Sequence, residues 1–226
     1  MPYKPLAIRT HVIAPGEDLV EVVRRYTADV ADPGDVVALS ESMVAIAQGR
    51  AVLPQDVRPR PLARVLRRFA HPDGSLATPA AMELAMREAG ACRVLLAGAA
   101  AAAGRLFGVR GLFFRVAGHG LQFIDDIGGT LPPFDRYIVL GPRDPDELAR
   151  RIKQGVGLDI LIVDVNDLGC VDILAYTGTA DPAPLVEALR HNPQGNDDEQ
   201  TPIVLLKRLP DSLSHGVTTP RAGRSP

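Results

Sequence analysis

Two cysteines, Cys92 and Cys170, in 226 residues cannot build a disulfide framework or a thiolate metal site, and they fit a reducing cytoplasm. A basic excess is also missing. Lys and Arg number 25 against 27 Asp and Glu, a formal charge of -2, so there is no cationic field for a nucleic-acid backbone. The opening MPYKPLAIRT lacks the apolar centre of a signal peptide. The longest apolar run, VLLAGAAAAAG (94–104), is too short and too rich in Ala and Gly for a membrane span, and it reads as a tightly packed helix. No GxSxG, no GxxxxGK[ST] and no GxGxxG after a strand occurs, which removes the standard hydrolase, P-loop and dinucleotide-binding readings.

What is present is the composition of a globular protein: 46% hydrophobic and 23% charged residues, enough to bury a real core. LAIRTHVI (6–13) reads as a first strand that stops at Pro15-Gly16, and it places His11 within it. Leu19, Val22, Val23 and Tyr26 then recur at helical spacing. VVAL (36–39) is a short buried strand, and Ser40 is placed to cap a helix running through Gln48. Thr78-Pro79 and Gly90 bracket another helix. GLFFRVAGHGLQFID (111–125) reads as strand-like runs broken by Gly118 and Gly120.

Residues 137–166 read as strand, helix, strand. YIVL is followed by the cap-proline-acid start Asp144-Pro145-Asp146-Glu147, an amphipathic helix ending on Gly155, and the near-continuous apolar run LDILIVDV. That order predicts a βαβ unit whose two strands are parallel neighbours. A helix at 185–191 and a strand at 202–209 follow, separated by the polar loop NPQGNDDEQ. The expected class is α/β, or mixed α+β, for a domain over 1–209, divided near 53–77 or 104–111, with a polar tail over 210–226.

Ligands of open α/β sheets gather outside the carboxyl ends of the strands. Asp164 interrupts an apolar strand at such an end, whereas Asn166-Asp167-Leu168-Gly169 has the composition of an ordinary turn. Asp125-Asp126 precedes Gly128-Gly129, which suits a solvated loop or a set of hard oxygen ligands. With no His/Cys cluster, a metal here is Mg²⁺, Mn²⁺ or Ca²⁺ rather than Zn²⁺. His119 lies between two glycines, which suits a general base, a substrate contact or a hydrogen-bonded loop histidine.

Taken in order, VIAPGEDLVEVV, GDVVALSESMVAIAQGRAV, HGLQFID, LGPRDPDELARRI and LIVDVNDLGCVDIL resemble the coenzyme F420-0:L-glutamate (gamma-glutamyl) ligase family over about residues 6–178. The resemblance implies the gamma-glutamyl-ligase-like α/β fold of an intertwined homodimer. It implies a GTP-driven reaction in which a substrate carboxylate is activated and the amino group of glutamate attacks to form an amide. It implies Mg²⁺ or Mn²⁺ held by Asp125 and Asp164, with Asn166 and Asp167 assisting. It implies nucleotide contacts from His11, Val12, Ile13, Ser40 and Ser42. The chain departs from the family pattern in the KIVSK segment, where Ser42, Ala45 and Ile46 replace Lys, Ser and Lys, so two phosphate-neutralising cations are missing. The polar run after Asp164 is reduced to DVNDLG, and the Ser-Asn that follows the loop aspartate in the family is absent. These departures mark a shorter, divergent branch. They leave two further readings open: a catalytically inactive or altered member acting as a ligand-binding or regulatory module, and a metal-dependent hydrolase using the same acidic site.

Overall fold

The computed structural model describes residues 3–70, 74–109, 111–128, 130, 132–195 and 199–210, the side chains of Leu106 and His119 excepted. Its elements are β1 (Tyr3–Ile8), α1 (Leu19–Thr27), β2 (Val36–Ser40), α2 (Glu41–Ala47), β3 (Ala51–Val52), α3 (Pro61–Leu66), α4 (Pro79–Ala89), α5 (Ala91–Leu106), α6 (Leu112–Ala117), β4 (Ile138–Val139), α7 (Pro145–Val156), β5 (Asp159–Val165), β6 (Val171–Tyr176), α8 (Ala183–Leu189) and β7 (Ile203–Arg208). This is the mixed α/β architecture expected from the sequence.

A five-stranded sheet runs β1-β7-β2-β5-β6, and β3 and β4 form a separate two-stranded ribbon. Alternation along β2 explains how both faces of the large sheet are covered. Val37 and Leu39 point to a core shared with α1, α2 and α7, through Leu19, Val23, Val44 and Ile152. Val36 and Ala38 point the other way, onto Leu185 and Leu189 of α8. A second core, built from α3, α4, α5 and α6 around Met82, Met86, Val94 and Ile138, occupies the stretch between β3 and β4. Among the described residues no helix is long and apolar enough to cross a membrane.

Local chemistry accounts for most helix ends. Asp18 caps α1 by accepting the Val20 N–H at 3.0 Å, and Thr78 caps α4 by accepting the Ala81 N–H at 3.1 Å. Asp144 precedes Pro145 as expected, but its side chain makes no capping bond.

Four sequence expectations need correction. The strand at 138–139 is not the parallel neighbour of β5. It pairs antiparallel with β3, and the parallel partner of β5 is β2, in the register Val36↔Asp159 to Ser40↔Val163. An apolar run marks a buried strand without naming its partner, so a strand from far upstream took the place. The stretch 111–125 forms α6 and a 3-10 turn rather than strands. The first strand ends at Ile8, leaving His11 in the loop that follows. The 94–104 run is helical, but Val94 and Ala97 are buried while Leu95 and Leu96 are exposed, so α5 is packed on one side only.

α7 also continues past Gly155 and closes on Gly157, whose φ of 79° suits a left-handed helix cap. Gly155 has a different job: a Cβ there would meet Val20 Cγ1 of α1. Because Val20 is stiff at χ1, the contact cannot relax cheaply. Gly155→Ala is expected to destabilise the protein by about 1–3 kcal/mol through overpacking, although alanine is the better helix former by about 1 kcal/mol. Urea denaturation gives the sign.

Candidate functional site

The parallel pairing of β2 with β5 sets their carboxyl ends side by side, and each end carries an acid. After β2 the chain turns at once into α2, so Glu41 is the first helical residue, flanked by Ser40 and Ser42, whose hydroxyls lie 2.8 Å apart. At the end of β5, Asp164 stands across from Asp172 of β6, a like-charged pair in direct register. Asp125 comes from the loop before β4. Its backbone exchanges two hydrogen bonds with Val139, at 2.8 and 2.9 Å, and Val139 packs on Ala45 and Ile46 of α2. That bridge carries the Asp125 loop to the same place as Glu41.

Two further segments wall the cleft. The Thr10 N–H donates to the Gln200 carbonyl at 2.9 Å, and the Ser40 N–H donates to the Pro202 carbonyl at 2.9 Å. These bonds hold residues 10–13 and the described residues 194–195 and 200–202 over the strand ends. They enclose a cleft of about 420 Å³ in which Glu41, Asp125 and Asp164 are joined by His11, Ser42 and Asn166.

The electrostatics are one-sided. Among the described residues no Lys or Arg lines the cleft or pairs with its three carboxylates. Burial, and then the charge of Asp164, pushes Asp125 up to about 7. Burial, followed by Asp125 and Asp164, holds Glu41 well above the usual carboxylate range. Burial and then Asp172 raise Asp164. His11 sits at the edge, its Nδ1 2.8 Å from the Tyr26 hydroxyl and its Nε2 2.7 Å from Glu17 Oε2, so both ring nitrogens are engaged.

The residues expected from the sequence divide accordingly. His11, Val12, Ile13, Ser40, Ser42, Asp125, Asp164 and Asn166 all line the cleft. Asn166 does so with its amide oxygen already committed, accepting the N–H groups of Leu168 and Cys170 at 3.0 and 3.2 Å in the turn joining β5 to β6. Asp167 faces elsewhere, accepting the Asn192 amide at 2.8 Å and tying that turn to the end of α8. The backbone of His119 belongs to the 3-10 turn 119–123, and its side chain lies outside the described residues. Sequence reasoning misses Glu41 and the wall formed by Gln194, Gly195, Gln200, Thr201 and Pro202. A signal for Glu41 exists all the same: VVALSE ends a buried strand on an acid, as IVDV does.

Donor chemistry fits a hard divalent cation, since the charged groups are carboxylates and include a buried oxygen, Glu41 Oε2, with no partner among the described residues. Among the described residues no group of three His, Cys, Asp or Glu side chains is placed so that it could hold a metal ion.

An acid-lined cleft at the carboxyl ends of parallel strands defines an α/β protein with a concentrated negative site, and comparison with known proteins narrows the class. The family model described as F420-0:Gamma-glutamyl ligase matches residues 7–166, and the chain belongs to that family. The coenzyme F420:L-glutamate ligase of Methanopyrus kandleri (strain AV19) is 27% identical over 161 residues, which cover 70% of this chain and 56% of that relative. The chain thus spans little more than half the length of the curated relative it matches.

A carboxyl group whose folded-state pKa is raised keeps a proton that the unfolded chain has already released. For Asp125 the stability this provides is complete below about 4 and is lost as pH rises toward about 7. Asp125→Asn removes the titration. The variant is expected to exceed wild type by about 2 kcal/mol at pH 8, inside the ceiling of roughly 4 kcal/mol set by three pKa units, with the gain vanishing near pH 4. Urea titrations across that range measure it.

Proposed function

We propose that this protein is a ligase that joins an amino group to the carboxylate of a small molecule, drawing on a nucleoside triphosphate, GTP by the family resemblance, and on Mg²⁺ or Mn²⁺. Family membership supports the reaction class. The observation that carries the metal requirement is the pair Asp125 and Asp164, two half-buried carboxylates without counter-charges on one cleft.

Mg²⁺ is ordinarily held by one or two carboxylates together with substrate phosphates and water rather than by a closed protein cage. Two aspartates on one cleft match that habit. When bound, the cation neutralises phosphate charge and polarises the transferring group. The chain's own residues do the rest. Asp125 and Asp164 would hold the cation, and the Ser40 and Ser42 hydroxyls would offer hydrogen-bond donors from the same cleft. Residues 10–13, 194–195 and 200–202 wall the cleft and would restrict the access of water to the activated carboxylate, favouring acylation of the amine. In the reaction the substrate carboxylate attacks the terminal phosphorus and a nucleoside diphosphate leaves. The amine then displaces phosphate from the acyl carbon and loses a proton.

The family's two lysines are replaced by Ser42 and Ile46, and no other Lys or Arg among the described residues lines the cleft. Among the described residues, neutralising the charge of a polyanion in the cleft therefore falls to the metal. Calorimetric titration with GTP and with ATP is expected to give heat in Mn²⁺ and none in a chelator, and Asp125→Ala/Asp164→Ala is expected to weaken binding at least tenfold, about 1.4 kcal/mol. No heat with any nucleotide in Mn²⁺ sinks the proposal. The same missing cations favour a second reading, a binding module that keeps the fold without the chemistry. Nucleotide binding with no turnover of any carboxylate and amine pair would select it.

A further inference from the structure

A second pocket, of about 230 Å³, begins one residue away from the acid cleft: Asp125 lines the cleft and Ile124 lines the pocket. Its charge is of the opposite sign. The charged side chains of its lining are Arg50, Arg93 and Arg143 with a single acid, Glu88, three positive charges against one negative.

The chain brings these four together from separate elements. Arg50 precedes β3, and its carbonyl accepts the Leu140 N–H just beyond β4 at 3.1 Å. Gly90, at φ 84°, breaks the path between α4 and α5, so that Glu88 near the end of one helix and Arg93 in the first turn of the next face a common space. Arg143 lies ahead of α7, where its N–H donates to the Gln48 amide oxygen at 2.7 Å and its carbonyl accepts from the Gln48 amide nitrogen at 2.8 Å.

Glu88 does not satisfy the three guanidinium groups. Arg50, only 7% exposed, donates from Nε to the Gly141 carbonyl and from Nη2 to Glu88 at 2.7 Å, and its Nη1 has no hydrogen-bond partner among the described residues. Arg93 spends its Nε on the Val116 carbonyl at 2.8 Å and pairs with no carboxylate among the described residues. Its terminal nitrogens lie over Gly118, where an added Cβ would come within 3.5 Å of Nη2. Arg143 reaches Glu88 only at 3.9 Å. Other exposed arginines have a carboxylate of their own, as Arg150 has Glu147 and Arg190 has Glu187. Structural bonding explains two nitrogens of Arg50 but not the convergence of three forks on one concavity, an arrangement suited to bidentate binding of an oxyanion. The volume is below the roughly 300–1,000 Å³ of pockets for drug-sized ligands, so it suits one anionic group rather than a whole cofactor.

We propose that this arginine pocket binds a phosphate group, at a site separate from the acid cleft. A phosphate monoester carries about -1.5 to -2 charges at pH 7 and so matches the two positive charges left over after Glu88, whereas a monocarboxylate matches only one.

The test titrates the full chain with inorganic phosphate at constant ionic strength and without divalent cations, so that the carboxylates of the acid cleft repel the probe. Calorimetry is expected to show saturable binding at one site, and thermal denaturation a rise in stability with phosphate. Arg93→Gln/Arg143→Gln is expected to bind phosphate at least tenfold more weakly, and Arg150→Gln to bind it as wild type does. Arg50→Lys keeps the charge and loses the fork, and it is expected to bind more weakly as well; if it fails to fold, the exposed pair carries the test alone. Acetate is expected to bind at least tenfold more weakly than phosphate. Absence of saturable binding, or wild-type affinity in Arg93→Gln/Arg143→Gln, overturns the site. Equal weakening in Arg150→Gln reduces it to diffuse surface charge, and acetate binding as tightly as phosphate overturns the choice of ligand.

Discussion

Everything at the cleft depends on one pairing, the parallel ladder between β2 and β5. Because the two strands point the same way, the segments leaving them emerge at one edge of the sheet, where backbone groups run out and side chains turn toward ligand. Glu41 and Asp164 share a cleft for that reason, although they lie far apart in the chain. The ladder is sealed from both sides, by α1, α2 and α7 on one face and α8 on the other. Asp125 is attached through the Val139 bridge, so the third acid depends on how α2 packs against β4.

The arrangement runs against stability. Three carboxylates gather where burial and mutual repulsion raise their proton affinity, and no basic residue among those described relieves them. Elsewhere the fold handles buried acids conventionally, with Arg60 and Arg87 on Glu83 and with Lys207 and backbone donors on Asp35. A fold that satisfies two buried acids and leaves an oxygen of the third without a partner among the described residues gives up stability at this cleft.

Much of this is legible in the amino-acid order alone. The strands at 36–40, 159–165 and 203–208 and the helices begun by Asp18 and Thr78 announce themselves through periodicity and caps, which are local properties. Asp164 stands out because a charge inside an apolar strand has a desolvation cost that some ligand or partner must offset. Asp125 is weakly marked, because an acid pair before two glycines suits a solvated loop as well as a ligand set, and the family resemblance singles it out. Strand partners are not legible, since burial on two faces gives the same run of Ile, Leu and Val whichever neighbour lies alongside. That is why the pattern points the short strand at 138–139 toward β5, where β2 in fact lies. The stretch 111–125 misleads for a related reason: Leu, Phe and Val there fill a helical core as readily as a sheet. Glu41 is hidden by its position, because an acid opening a helix looks like routine helix chemistry until its burial is known.

The order β1-β7-β2-β5-β6 places β7, near the end of the described chain, between two strands from its beginning. Tyr3 lies opposite Arg208, and Val36 is flanked by Leu206 and Asp159. While the polypeptide emerges from the ribosome, β1 therefore has no neighbour in the sheet until the last strand has been made. β2 waits for β5 on one side and for β7 on the other. Closing pairings of that span carries a large loop-closure entropy, so acquisition of the native state is expected to be slow and late. Until then β2 offers unsatisfied edges, and the aliphatic run Val36 to Leu39 is exposed to mispairing with other chains. The helical cluster of α3 to α6, whose contacts are close in sequence, has no such wait and can consolidate first as a platform on which the sheet later closes.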